Sequence, residues 1–282
     1  MSITNKQSNI LDQNIGIAGC GEMGYPMLKM LLQNNINATG HDIKASENFK
    51  DFGKKYIPSK SDFFLKNDVV LSIVRDTKET EDLLIKNNAL LSKKHVTILI
   101  CSTLPITYIK KLKKNLPEHF RLIDTPMSGS TIKAKEGTLT FMVGGKNDEV
   151  KNVMPLLKIL GNKILHIGDF SKGMSVKLLN NFIAASSVLA TRNVLSQIHN
   201  FGLTEKQLLD VVKCSTGDNW FVQNYNTLNW SKENFDKTNT MGILEKDLLS
   251  YIESKSNKNI NFALDNYENS IVNGIKNIPK VT

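Results

Sequence analysis

The chain has 282 residues and a formal net charge of +9, with 40% apolar and 22% charged residues. That is enough for two modest domains with packed cores, and no apolar run reaches the length of a membrane span. Three scattered cysteines, Cys20, Cys101 and Cys214, exclude a disulfide framework. The five histidines lack ligand spacing, so no metal is expected, and the basic residues form no dense block with interleaved aromatics, so the charge reads as solvated lysine-rich faces and not as a nucleic-acid surface.

The opening stretch MSITNKQSNILDQN is polar and has no signal-peptide core, so it reads as a tail before the first strand, in a cytoplasmic protein. NIGIAG is a short apolar strand. From Gly21 to about Asn34, Met23, Met27, Leu28, Met30, Leu31 and Leu32 recur at helical spacing. INATGHD is a second strand, and SKSDFFLKN a short helix leading to the strand DVVLSIV. TKETEDLLIKN is a helix before the strand HVTILICS, and PITYIKKLKKNL a helix opened by proline. FRLIDTPMS and LTFMVGG are two further strands.

This alternation predicts an α/β fold, a doubly wound, mostly parallel sheet covered by helices on both faces. After about Lys172 strand signals cease. GMSVKLLNNFIAASSVLATRNVLSQIHNFG reads as one helix of about thirty residues, apolar nearly all round in its first half and closed by Gly202. TEKQLLDVVKCS and GILEKDLLSYIESKS are further helices. The expected division is a dinucleotide-binding domain over 1–171 and an all-helical domain over 172–282, joined by the long helix.

Open α/β sheets bind ligands at the carboxyl ends of their strands. The turn after NIGIAG, Val74–Arg75, Ser102–Thr103 and Ser128–Gly129 all fall there. In the stretch G-C-G-E-M-G, Gly19 permits a tight turn, Gly21 lets backbone approach a pyrophosphate, and Gly24 allows close helix–strand packing. Glu22 and Met23 lie in the same loop, at the helix N-terminus that faces the anion. Asp42, closing the second strand, can accept hydrogen bonds from ribose hydroxyls and would repel a 2′-phosphate. That favours NAD, with NADP as the alternative through Lys44 or Lys50. The competing reading of the loop is a purely structural turn, and of Asp42 a solvated turn acid.

Two polar groups stand out. Lys177 and Asn181 lie four apart on one face of a mostly apolar helix, where a lysine is costly unless it is paired or snorkels to the surface. Ser128, Gly129, Ser130 and Thr131 offer hydroxyls and small-residue N–H groups that suit a carboxylate, or else form an ordinary Ser/Gly turn.

IGIAGCGEMGYPM, CSTLP, DTPMSGSTIKAKEGTLTFMVGG, GMSVKLLNN and LEKDL occur in an order that resembles the β-hydroxyacid dehydrogenases, the 3-hydroxyisobutyrate dehydrogenase-like family, from about Ile15 to Ile275. The resemblance implies a Rossmann domain, a long interdomain helix, a helical C-terminal domain and a homo-oligomer, dimer or tetramer. It implies Lys177 as the catalytic lysine, with Asn181 and its neighbour Asn180 contacting a small carboxylate substrate. Ser128 and Gly129, with Ser130 following, would bind the carboxylate. Val74, Arg75, Ser102 and Thr103 would lie along the cofactor, and Lys246 would reach back towards it. The chain departs from the family pattern at Ser130, where a second glycine is usual, at Arg75, where proline is usual, and at Asn193, where glutamate is frequent. The implied reaction is hydride transfer between a nicotinamide cofactor and a β-hydroxy acid or its semialdehyde. The alternatives are an imine or keto reductase on the same scaffold and a non-catalytic dinucleotide-binding regulator.

Overall fold

A computed structural model describes residues 9–44, 46–93, 95–255 and 262–281, so most of the expected N-terminal tail lies outside the described residues. Residues 10–12 form a 3-10 turn with Ile10 buried. The chain divides into two compact units, Met1–Lys177 and Leu178–Thr282.

In the first unit the elements run β1 (Ile15–Ala18), α1 (Gly24–Gln33), β2 (Ala38–His41), 3-10 turns over 46–55, α2 (Lys60–Lys66), β3 (Val69–Ser72), α3 (Thr77–Leu84), α4 (Asn88–Leu91), β4 (Thr97–Ile100) and α5 (Ile106–Asn115). They continue with β5 (Arg121–Asp124), β6 (Met127–Ser128), α6 (Thr131–Glu136), β7 (Leu139–Gly144), α7 (Asn147–Leu160) and β8 (Gly161–Gly168). Among the described residues the sheet order is β2-β1-β3-β4-β5-β7-β6, with β8 against β7. Pairings from β2 to β5, and β7 with β8, are parallel; β7 runs antiparallel to β5 and β6. This is the mostly parallel sheet that the sequence predicts.

β1 and β3 are buried along their whole length. A sheet covered on both faces needs such continuous apolar runs, not alternation. Ile17, Leu31, Leu71, Leu99, Ile123 and Leu156 meet in one core. The strand order reverses at β1, with β2 on one side and β3 on the other, and this reversal opens the crevice that α/β sheets use for ligands.

Two sequence expectations change here. FRLIDTPMS splits into β5 and β6, because Pro126 has no N–H to give a ladder and instead accepts from Met142 N at 3.0 Å. The thirty-residue helix is α8 (Lys172–Ser196) followed by a 3-10 turn, Ile198–Phe201. Ser196 Oγ and Gln197 Nε2 both donate to Asn193 O, an alternative to the helical ladder. Gly202, at φ +66°, still closes the turn. On the first half of α8, Leu179 is 53% and Ile183 68% exposed.

The second unit adds α9 (Glu205–Val212), opened by a Thr204–Gln207 capping box, α10 (Trp220–Asn224), α11 (Thr240–Ser254) and α12 (Phe262–Lys276). Ala185, Val188, Phe221, Tyr225, Met241, Leu248 and Ile275 form its core. Arg192 is wholly buried there. Its Nη1 donates to Ser231 O at 2.8 Å and Glu233 O at 2.9 Å, and its Nη2 to Pro279 O.

Candidate active site

The glycine loop joins β1 to α1. Gly19 sits at φ +96°, and a Cβ there would lie 2.6 Å from Ile73 O. A Cβ on Gly24 would lie 1.9 Å from Gly19 O. Both glycines are therefore demanded by the fold itself. Gly21 differs: a Cβ there meets nothing within 4 Å. The protein's own packing leaves that position open, which fits a backbone kept bare for a ligand's approach. Tyr25 N donates to Gly21 O at 2.9 Å, so the helix begins directly over the loop. Glu22 is exposed and Met23 half-buried beside it.

The neighbouring strand ends bring the other expected cofactor residues to the same edge. Ser102 Oγ donates to Val74 O at 2.6 Å, tying the end of β4 to the end of β3. Arg75 is exposed, with its N–H donating to Glu79 Oε2 at 2.8 Å. Thr103 follows Ser102, half-buried. Asp42 follows β2 directly, and its Oδ1 accepts Lys44 N at 2.9 Å. Tyr56 Oη donates to the Asp42 and Lys44 carbonyls at 3.0 and 3.2 Å, which pins the turn. Burial, with the nearby Asp42 charge second, pushes the Cys20 thiol up to about 12, so this cysteine in the loop is inert.

A cavity of about 410 Å³ opens beside Gly21 and Glu22, lined also by Tyr25, Lys44, Thr131 and Lys135. The cavity therefore joins the glycine loop to the segment after β6. In that segment Gly129 takes φ +136°, a conformation that favours glycine. Ser130 is the N-cap of α6, with no side-chain capping bond.

Lys177 is 9% exposed, on α8. Sequence reasoning missed what anchors the start of that helix. The Asp124 carboxylate, buried at the end of β5, accepts Ser171 N and Met174 N, each at 2.7 Å. Desolvation pushes its pKa up to about 6, against the two N–H bonds that favour the charged form. Its partners are 47 and 50 residues away, so RLID alone carried no signal beyond an acid at a strand end.

In the second unit Asn180 Nδ2 donates to Asn181 Oδ1 at 3.2 Å, and Asn181 Nδ2 to Asp247 Oδ2 at 2.5 Å. Lys246 Nζ lies 2.7 Å from Asp247 Oδ1. That oxygen accepts no hydrogen bond of proper geometry, so the contact is an ion pair without an aligned donor. Asp247 is a second residue missed as a site member; ILEKDLL holds two acids, and its sequence does not single out the one that is buried. The expected residues thus gather into a strand-edge group in one unit and an Asn181–Asp247–Lys246 group in the other. Among the described residues no cluster of three His, Cys, Asp or Glu could hold a metal, and no helix is long and apolar enough to cross a membrane.

Residues 14–168 match the family described as the NAD binding domain of 6-phosphogluconate dehydrogenase. Residues 171–276 match that described as NAD-binding of NADP-dependent 3-hydroxyisobutyrate dehydrogenase. The NAD-dependent L-serine dehydrogenase of Pseudomonas aeruginosa is 30% identical over 221 residues, 76% of this chain and 74% of that one. The human mitochondrial 3-hydroxyisobutyrate dehydrogenase is 30% identical over 217 residues, 75% of this chain and 65% of its own length. Among solved structures, the Mycobacterium tuberculosis 3-hydroxyisobutyrate dehydrogenase with L-serine superposes with a TM-score of 0.78 at 22% identity, covering 93% of this chain and 92% of that one.

Proposed function

This chain belongs to the β-hydroxyacid dehydrogenase family, and we propose that it interconverts a small β-hydroxy acid and the corresponding semialdehyde or keto acid with NAD as its preferred cofactor. The observation that carries the reading is the burial of Lys177 on α8, one helical turn before Asn181. General acid–base catalysis uses a positioned amine of this kind, within one helical turn of a second polar side chain.

Bound nicotinamide dinucleotide supplies the hydride acceptor or donor. Gly19, Gly21, Glu22, Met23 and Gly24 would hold its pyrophosphate, with Val74, Arg75, Ser102, Thr103 and Lys246 further along it. The open position at Gly21 fits that group. Asp42 favours the free ribose hydroxyls of NAD, while Lys44 and Lys135 in the adjoining cavity are the groups through which NADP would compete. Lys177 takes the proton from the substrate hydroxyl during oxidation and returns it to the carbonyl oxygen during reduction. Ser128, Gly129 and Ser130 hold the carboxylate through hydroxyl and backbone N–H groups, and Asn180 and Asn181 orient the hydroxyl-bearing carbon.

The same reading assigns 1–171 to cofactor binding and 172–282 to the helical domain. It makes the protein a homo-oligomer, dimer or tetramer, in a reducing cytoplasm, with no nucleic-acid partner. Exposed Leu179, Ile183 and Val194 on α8 support the oligomer.

The test is a turnover panel with NAD(H) and NADP(H) over 3-hydroxyisobutyrate, L-serine, succinic and tartronate semialdehydes, glyoxylate and a cyclic imine. Turnover of a short hydroxy acid or its semialdehyde is expected. Turnover of the imine alone would replace the reading with an imine reductase, and cofactor binding without any turnover would replace it with a regulator.

A further inference from the structure

The carboxylate of Asp247 is 3% exposed, on α11, and the reaction as written above gives it no part. One of its oxygens takes the Asn181 side-chain N–H at 2.5 Å, across 66 residues of sequence. The other lies 2.7 Å from Lys246 Nζ, which offsets the buried charge. We propose that Asp247 is a positioning residue that fixes which way round the Asn181 amide faces, a proposal that rests on the dehydrogenase reading for its catalytic consequence.

An ionised carboxylate can only accept hydrogen bonds, whereas an asparagine amide carries a donor end and an acceptor end of nearly the same shape. Rotation about the terminal Asn torsion is soft and roughly two-fold, so an amide with no directional partner populates both faces. Opposite Asp247 one orientation is allowed, with Nδ2 towards the carboxylate. Asn180 Nδ2, at 3.2 Å, reinforces this by donating to Asn181 Oδ1. The result is an amide that presents Oδ1 and its second N–H in one fixed sense, on the helix that carries Lys177 four residues earlier. The pairing is charge-assisted and its acceptor is buried, which makes such a bond stronger and directional.

Asp247→Asn removes this information while keeping the side chain's size, because the new amide can pair with Asn181 either way round. The experiment is a double-mutant cycle in the full-length enzyme with Asp247→Asn, Asn181→Ala and the double variant, following kcat, KM for substrate and cofactor, and thermal stability. Asp247→Asn should lower kcat roughly 10- to 100-fold, the rate equivalent of one charge-assisted hydrogen bond. The part of the kcat loss that runs through Asn181 should vanish once that amide is gone, so the double variant should be no slower in kcat than Asn181→Ala, whereas any change in cofactor KM runs through Lys246 and should persist there. Losses that multiply in the double variant, or near-normal kcat in a folded Asp247→Asn, would overturn the proposal. A second readout needs neither turnover nor a folded Asp247 variant. In wild-type protein one side-chain amide proton of Asn181, identified by its disappearance in Asn181→Ala, should resonate well downfield of its geminal partner. Two ordinary, similar shifts would overturn the proposal as well. A wild type that turns over nothing on the substrate panel would instead sink the dehydrogenase reading, and the Asn181 resonance would still decide the positioning role.

Discussion

Replacing Gly21 and Gly24 in turn separates a glycine kept for a ligand from a glycine kept for the fold. At position 24 an added Cβ would stand 1.9 Å from Gly19 O, about 1.5 Å short of the 3.4 Å at which ordinary contact begins. The obstacle is backbone, so no rotamer relieves it. Gly24→Ala should cost at least about 3 kcal/mol through overpacking, which lowers Tm by roughly 6–12 °C for a chain of this size. At position 21 nothing lies within 4 Å, so Gly21→Val should leave stability within about 0.5 kcal/mol. Its side chain would stand where the pyrophosphate approaches. If the clash costs about 1–3 kcal/mol, NADH binding weakens roughly 5- to 150-fold, and more if the phosphate is excluded outright. Thermal unfolding and a fluorescence titration with NADH on both variants provide the assay. Unchanged NADH affinity in a folded Gly21→Val, or a collapse of its Tm comparable to that of Gly24→Ala, would refute the reasoning.

Further outcomes concern the cofactor's ribose, the anchored helix and the buried guanidinium. The specificity constant for NAD should exceed that for NADP, and Asp42→Ala should narrow the ratio; a clear wild-type advantage for NADP would shift the assignment to Lys44 and Lys135. Asp124, raised from its ordinary 3.8 to about 6 by burial, binds its proton more tightly in the folded state, so its contribution to stability is present below about pH 4 and is lost as the pH rises through 6. The stability of Asp124→Asn relative to wild type should therefore rise by up to about 3 kcal/mol between pH 4 and 7; a difference that does not change with pH in chemical denaturation would contradict this. Arg192→Ala leaves three carbonyls without their donor and opens a cavity, which should cost at least about 3 kcal/mol in urea unfolding, whereas loss of a solvated arginine would cost under about 0.5 kcal/mol.

Much of the sheet was legible because strands buried on both faces are continuous apolar runs. VVLS and TILI announce themselves, and the loop glycines follow from spacing alone. β8 was not legible. Asn162, Lys163, Leu165, His166 and Ile167 are exposed on an outer strand, which needs no apolar pattern. α7 was obscured by Pro155, a residue that argues against a helix interior, although the helix continues through it. Within the candidate site, Lys177 and Asn181 stood out because polarity on an apolar helix is a local anomaly. Asp124 and Asp247 did not, because the N–H groups that bind them lie 47 to 66 residues away and only tertiary structure brings them together. The exposure of Leu179 and Ile183 was not legible for a related reason: apolar composition shows what a helix can bury, not which of its sides the rest of the chain covers.

Lys177→Ala decides whether Lys177 moves the substrate proton when kcat, NADH affinity and Tm are measured on one preparation. Proton transfer by Lys177 predicts a fall in kcat of about 10²–10⁴-fold. NADH affinity should be nearly unchanged, and Lys177→Arg should restore little, because a guanidinium does not release its proton near neutral pH. A lower Tm with near-normal kcat per folded molecule would make Lys177 a structural lysine and contradict the mechanism, even with the dinucleotide-binding fold intact.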